Sequence, residues 1–200
     1  MIELVFIRHG LSEANKGGLV SGWSNTPLSK EGIAELEGFR DNVAYPKTQL
    51  YYCSDLPRCL QTFDILFSGT TALNGTRPEF REIDFGKYES VEIYSLSKIG
   101  FFERWTNDEV IDDLEQFSQF VQRISNATQK LYNEMKQKEQ NSCTVICHSG
   151  VIRAVYYLVK NIEPQYFWGF AVPNGRGVRV KFNAEQGNDD IFDTATLEVV

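Results

Sequence analysis

Apolar residues fall in short, nearly unbroken blocks, separated by longer stretches whose apolar positions follow a helical period. Ile2 to Ile7 shows little alternation, which marks a central strand buried on both faces. Leu50 to Cys53 and Thr144 to Cys147 repeat that signature. After a loop with Gly17, Gly18 and Gly22, Thr26-Pro27-Leu28-Ser29 opens a helix expected to reach about Val43. A second helix is expected to run to about Phe67, with Ser54 as its N-cap and Pro57 in its first turn, where the missing N–H costs nothing. Residues 70–78 read as loop and Phe80 to Ile83 as a brief extended stretch. Tyr88 to about Trp105 is aromatic and irregularly helical, and a long amphipathic helix is expected from roughly Asp112 to Lys138. A helix from Val151 to Val159 follows the Ser149-Gly150 turn. Gly177 to Phe182 and Ile191 to Val199 predict two terminal strands, joined by the polar turn Glu185 to Asp190.

Strands alternating with helices imply an α/β fold whose mainly parallel sheet is covered on both faces. The 200 residues suit a single domain, 1–200, in which 88–138 forms a small helical cap. Repeats, low-complexity tracts and linkers are absent from the pattern. Apolar and charged fractions of 42% and 24% are ordinary for a globular protein. No apolar run approaches the roughly 20 residues that span a bilayer. The first residues carry no basic region, apolar stretch and cleavage site in sequence, so a cytoplasmic protein is expected. A net charge of −7 argues against a general nucleic-acid or membrane surface. An anionic substrate would then need a local basic pocket. The four cysteines form no CxxC pair, and neighbours on a strand such as Cys147 and His148 point to opposite faces, so reduced, buried thiols are expected rather than a metal site.

The chain has only two histidines, and each follows an apolar block at a strand-to-loop junction: Phe6-Ile7-Arg8-His9-Gly10 and Val145-Ile146-Cys147-His148-Ser149-Gly150. Histidine is the side chain best suited to proton or group transfer near neutral pH. Open α/β sheets place their ligands at the carboxyl ends of strands, where both histidines fall. Four segments combine reactive or anion-binding residues with strand ends: Arg8-His9-Gly10 with Asn15, Ser54-Asp55-Leu56-Pro57-Arg58, Arg81-Glu82-Ile83-Asp84, and His148-Ser149-Gly150 at a helix start. Two arginines, two histidines, an amide and a carboxylate suit a phosphoryl group, whose equatorial oxygens match the planar fork of a guanidinium.

Five motifs resemble, in order, those of the histidine phosphatase superfamily, the phosphoglycerate-mutase-like enzymes. They are Arg8-His9-Gly10 with Asn15; Gly22-Trp23 before Pro27-Leu28-Ser29 and Gly32; Ser54-Asp55-Leu56 with Arg58 and Gln61-Thr62; Arg81-Glu82-Ile83; and His148-Ser149-Gly150-Val151-Ile152-Arg153. The resemblance implies a three-layer α/β/α sandwich. It implies that His9 attacks phosphorus and becomes phosphohistidine, that Arg8, Arg58, Asn15 and His148 hold the phosphoryl oxygens, and that Glu82 protonates the leaving oxygen. Ser21 and Gly22 are candidates for substrate contact, with turn chemistry as the competing reading. No metal and no other cofactor is implied. The physics of phosphoryl transfer agrees: neighbouring arginines disfavour a cationic imidazole, and fixed cations stabilise the equatorial charge.

Some assignments stay open at this level. Asp84 or Glu89 competes with Glu82 as the acid. Arg153 reads as a packing or pairing residue, the stripe Phe101, Phe102, Trp105 as core rather than a pocket roof, and Phe167 and Trp168 as core. Leu11 and Ser90 depart from the family pattern, which bears on substrate preference. The stretch between Glu82 and His148 is shorter than the resemblance implies for true mutases, so phosphohistidine stays open to water. A phosphatase of the bacterial branch that includes α-ribazole-5′-phosphate phosphatases is expected, acting on a small phosphorylated metabolite. Mutase-type transfer and a non-catalytic, phospholigand-binding relative are the alternatives. A homodimer is left open.

Overall fold

Leu4, Val5, Phe6 and Ile7 are all essentially inaccessible to solvent, which a strand achieves only with a packed layer on each face. A computed structural model describes residues 1–183 and 190–200 and shows those layers. The strands are β1 (Ile2–Arg8), β2 (Leu50–Cys53), β3 (Gly75–Thr76), β4 (Ser142–Cys147), β5 (Gly177–Phe182) and β6 (Thr196–Val199), in spatial order β3-β2-β4-β1-β5-β6. The first four in that order are parallel, and β5 runs against both its neighbours. The helices are α1 (Glu13–Lys16), α2 (Lys30–Asn42), α3 (Pro57–Leu66), α4 (Ile93–Lys98), α5 (Phe101–Thr106), α6 (Phe117–Gln137) and α7 (Ser149–Lys160). Side chains alternate along β1: Leu4 and Phe6 enter one core with α6 and α7, and Val5 and Ile7 enter the other with α2 and α3. This is the expected α/β sandwich.

Several boundaries differ from the pattern, each for a physical reason. Ser29 caps α2 through a bond from the Gly32 amide at 3.0 Å, so the helix begins later than Thr26. Ser54 does not cap α3; Leu56 occupies the N-cap position without a side-chain bond. The loop at 70–78 contains the two-residue strand β3, and Pro78–Phe80 is a 3-10 turn rather than extended chain. Helix α6 starts at Phe117 because the preceding residues are tied to the 84–87 loop: the Lys87 amide donates to Asp113 and the Glu115 amide to the Asp84 carbonyl. Helix α7 takes in Ser149 and Gly150. Ile191 and Phe192 are buried but lie in a turn, with Phe192 edge-on to Phe182, so their hydrophobicity reflects packing and only Thr196–Val199 pairs as strand. Of the expected polar turn, Glu185 to Asp189 lies outside the described residues.

The aromatic stretch divides. Phe101 and Trp105 are core, as expected, whereas Phe102 is only partly buried. Trp105 meets Phe117, Phe120, Phe167 and Trp168 with ring centroids 5.1 to 6.0 Å apart, and its indole N–H donates to the Glu115 carbonyl at 2.7 Å. That one side chain joins α5, α6 and the 3-10 segment Pro164–Gly169. Trp105→Ala is expected to destabilise the protein by about 3–5 kcal/mol, measured by urea unfolding. A loss below about 1 kcal/mol would show that these layers do not depend on it.

Candidate active site

Arg8 pairs in register with Cys147 across the parallel strands β1 and β4, so the next residue of each strand, His9 and His148, emerge side by side. The His9 amide donates to the Cys147 carbonyl at 2.9 Å, and the two imidazoles lie 5.1 Å apart, centroid to centroid. Residues from the loop after β2 join them, because the Ser54 amide donates to the Ile146 carbonyl beside the same strand end.

Hydrogen bonds fix both tautomers. His9 Nδ1 lies 2.7 Å from the Gly10 carbonyl, an acceptor only, so Nδ1 carries the proton and Nε2 keeps its lone pair. Arg58 Nε donates to His148 Nδ1 at 3.3 Å, which leaves the His148 proton on Nε2, 2.9 Å from Ser54 Oγ. Ser54 therefore holds an imidazole instead of capping a helix. The Gly10 amide donates to Thr62 Oγ1, whose hydroxyl donates to the Arg58 carbonyl. In this way α3 braces the loop that carries His9.

Both imidazoles are held well below the usual histidine pKa. Burial is the main cause for each; Arg58 adds to it, with Arg8 acting on His9 and the His9 ring on His148. Cys59 Sγ sits 3.5 Å from His148 Nε2, but burial pushes its thiol up to about 12, so it is not a thiolate. All four cysteines are free and buried.

A cleft of about 470 Å³ opens at these strand ends. Arg8, Asn15, Ser21 and Glu82 line it, whereas His9, Arg58 and His148 are almost entirely buried behind its surface. Arg8 donates to the Val172 carbonyl at 2.8 Å, while its Nε and the Asn15 Oδ1 are buried with no protein partner. Such orphans suit an incoming oxyanion and its protonated oxygen. Arg58 spends four of its five N–H groups on His148 and on the carbonyls of Ser24, Ser21 and Gly22, which leaves one Nη1 hydrogen for a ligand. Ser21 Oγ bonds Ser24 and Thr26.

Gly22 is placed differently from its candidate role. Its amide donates to the Glu89 carboxylate and its carbonyl takes Arg58, so it shapes the loop and does not line the cleft. A Cβ there would lie 2.1 Å from the Ile83 carbonyl oxygen. Glu89 is thereby committed to the Gly22 and Trp23 amides, and Asp84 to the Gly86 amide. Glu82 is the carboxylate at the cleft. It accepts from the Ile83 and Gly150 amides, each at 3.0 Å.

Some residues at the site went unread in the sequence. Arg123 of α6 pairs with Glu115 and donates to the carbonyls of Glu79, Arg81 and Glu82, clamping the segment that presents Glu82. Arg153, Phe102 and Trp168 line the cleft, so Trp168 is not simply core. For Arg153 a signal existed, since it stands four residues after Ser149 on one face of α7.

Buried guanidiniums and paired neutral imidazoles at the carboxyl ends of parallel strands define a site for an oxyanion, the class to which phosphate-ester enzymes belong. A model of the histidine phosphatase superfamily (branch 1) matches residues 4–189, and the chain belongs to that family. The Adenosylcobalamin/alpha-ribazole phosphatase of Escherichia coli (strain K12) is 26% identical over 179 residues, covering 87% of each chain. The crystal structure of the alpha-ribazole phosphatase from Shigella flexneri superposes with a TM-score of 0.75 at 26% identity, covering 100% of this chain and 96% of that one. The phosphoglycerate mutase from Bacillus anthracis str. Sterne superposes with a TM-score of 0.80 at 19% identity, covering 100% and 92%, and shares the fold. The chain is a phosphatase.

A Cβ on Gly150 would lie 2.0 Å from Glu82 Oε1, so Gly150→Ala is expected to displace the carboxylate and lower kcat about a hundredfold; unchanged turnover of a chromogenic ester would show that the position of Glu82 is immaterial. The depressed histidines make stability pH-dependent. Unfolded imidazoles take up protons near pH 6.5 while the folded ones do so only well below, so the unfolded state binds more protons in that window. Stability is complete above about 6.5 and falls as pH drops. Tm measured from pH 7 to 5 should decline, with a shallower slope in His9→Asn; a rise on acidification contradicts the assignment.

Proposed function

We propose that the enzyme hydrolyses small phosphate monoesters in two steps through a phosphohistidine on His9. The observation that carries this reading is the neutral Nε2 of His9, freed by the Nδ1–H bond to Gly10 and set beside Arg8, Arg58 and His148. In the first step Nε2 forms a bond to phosphorus as the ester oxygen leaves with its electron pair, and Glu82 gives that oxygen a proton. In the second, water gives a proton back to Glu82 and its oxygen bonds phosphorus as the P–N bond breaks, releasing inorganic phosphate and free His9. Arg8, Asn15 and the remaining Nη1 hydrogen of Arg58 hold the phosphoryl oxygens. His148 supplies its Nε2–H, which here rests on Ser54. Ser21 borders this region of the cleft.

The substrate is a small phosphorylated metabolite. Two relatives named alpha-ribazole phosphatases, each 26% identical over most of the chain, make α-ribazole 5′-phosphate the first candidate. Residues 1–200 act as one domain; of the expected cap 88–138, the part that borders the cleft carries Ile93, Ser97 and Phe102, whereas α6 packs on the sheet beside α7. Four free, buried thiols fit a reducing compartment, the cytoplasm. No described helix is long and apolar enough to cross a membrane.

The test is hydrolysis of a chromogenic phosphate ester without added metal. Wild type should turn over, and His9→Ala should lose about a thousandfold or more. Labelled substrate should leave acid-labile, base-stable phosphate on the wild-type protein. Equal rates in the two proteins, or a label that survives acid, would eliminate the histidine intermediate.

A further inference from the structure

Arg153 is a cation for which the hydrolytic scheme has no use. It is partly buried one turn into α7, where Nε donates to the Phe170 carbonyl at 2.7 Å and Nη1 to Ser149 Oγ at 2.6 Å. Its guanidinium carbon lies 5.2 Å from the centre of the Trp168 ring. Among the described residues no carboxylate comes within ion-pairing distance of it, and Nη2 donates to nothing in the protein. It lines the same cleft as Arg8 and Glu82 but hydrogen-bonds neither those residues nor the histidines.

A partly buried guanidinium held from two sides, with one nitrogen left over at a cleft, is a donor waiting for an acceptor. The phosphoryl group is already matched by Arg8 and Arg58, a third cation exceeding what a dianion requires. The wall beside Arg153 is aromatic: Phe102 and Trp168 meet at 5.0 Å edge to face, pinned by an indole N–H bond to the Phe102 carbonyl. The cleft volume of about 470 Å³ exceeds what a phosphoryl group alone fills.

Building on the hydrolase reading above, we propose that Arg153 is a specificity-determining residue: its free Nη2 donates to an oxygen carried by the alcohol half of the ester, while Phe102 and Trp168 cover the carbon skeleton. The acceptor is a hydroxyl or a carboxylate, both of which match a guanidinium N–H. Arg153 thus selects which phosphate ester is bound, and the clamp that activates phosphorus is separate.

The experiment compares kcat/KM of wild type and Arg153→Met on phenyl phosphate, which has no further oxygen, ribose 5-phosphate, which offers hydroxyls, and 3-phosphoglycerate, which offers a carboxylate. The variant should lower the ratio of kcat/KM on an oxygen-bearing ester to that on phenyl phosphate by about tenfold, mostly through KM. A fall confined to ribose 5-phosphate names the acceptor a hydroxyl; one confined to 3-phosphoglycerate names it a carboxylate. Arg153→Lys keeps the charge without the fork and serves if the Met variant does not fold, with a smaller fall in the same ratio expected. Unchanged ratios, including a uniform loss on all three esters, would overturn the proposal, as would a wild type that hydrolyses phenyl phosphate alone. A wild type inactive on every ester would overturn the hydrolase reading itself, and this inference with it.

Discussion

One guanidinium with no solvent exposure organises this molecule's chemistry. Arg58 has no carboxylate within ion-pairing distance among the described residues; three main-chain carbonyls and His148 Nδ1 solvate its charge instead. Burying an unpaired charge is costly unless its donors are satisfied, so the backbone of 21–24 is obliged to turn its oxygens inward. The same cation fixes the His148 tautomer and opposes protonation of both imidazoles. Glu89 in turn holds the Gly22 and Trp23 amides, and the Trp23 indole donates to the Glu82 carbonyl. A loop, two histidines and the segment that presents Glu82 are thereby tied to one side chain.

The sheet provides the second constraint. Strand β4 inserts between β1 and β2, so segments remote in sequence deliver Arg8-His9, Ser54 and His148 to one edge. Helix α7 begins at that edge, and its Gly150 amide meets Glu82 because no side chain intervenes. Ser90, where the family pattern favours glycine, adopts a left-handed φ of 64° and donates its amide to the Val20 carbonyl. The departure from pattern is accommodated in the backbone beside the cleft.

Strands buried on both faces, Pro57 in the first turn of α3, and the pairing of each histidine with a strand end were legible because periodicity and turn chemistry are local. The grouping of His9, Arg58, Glu82 and His148 at one set of strand ends could likewise be read. What stayed hidden depends on partners far along the chain. Ser54 has the residue type and spacing of a helix cap, and only the proximity of His148 gives it another use. Gly22 resembled a ligand loop until Glu89 claimed its amide. Trp168 and Phe102 share their composition with core aromatics, and solvent access alone separates them from Phe167 and Phe101. Helix α6 begins late because Asp113 and Glu115 answer to the 84–87 loop, a demand invisible to a helical period.

Delivering two imidazoles from segments far apart in the polypeptide has a kinetic corollary. The central β1–β4 pair closes a very long loop, so its entropy must be met before either ring has its neighbour. A nascent or partly collapsed chain therefore lacks the paired imidazoles, and recovered turnover after denaturation reports completion of the sheet rather than formation of any single helix.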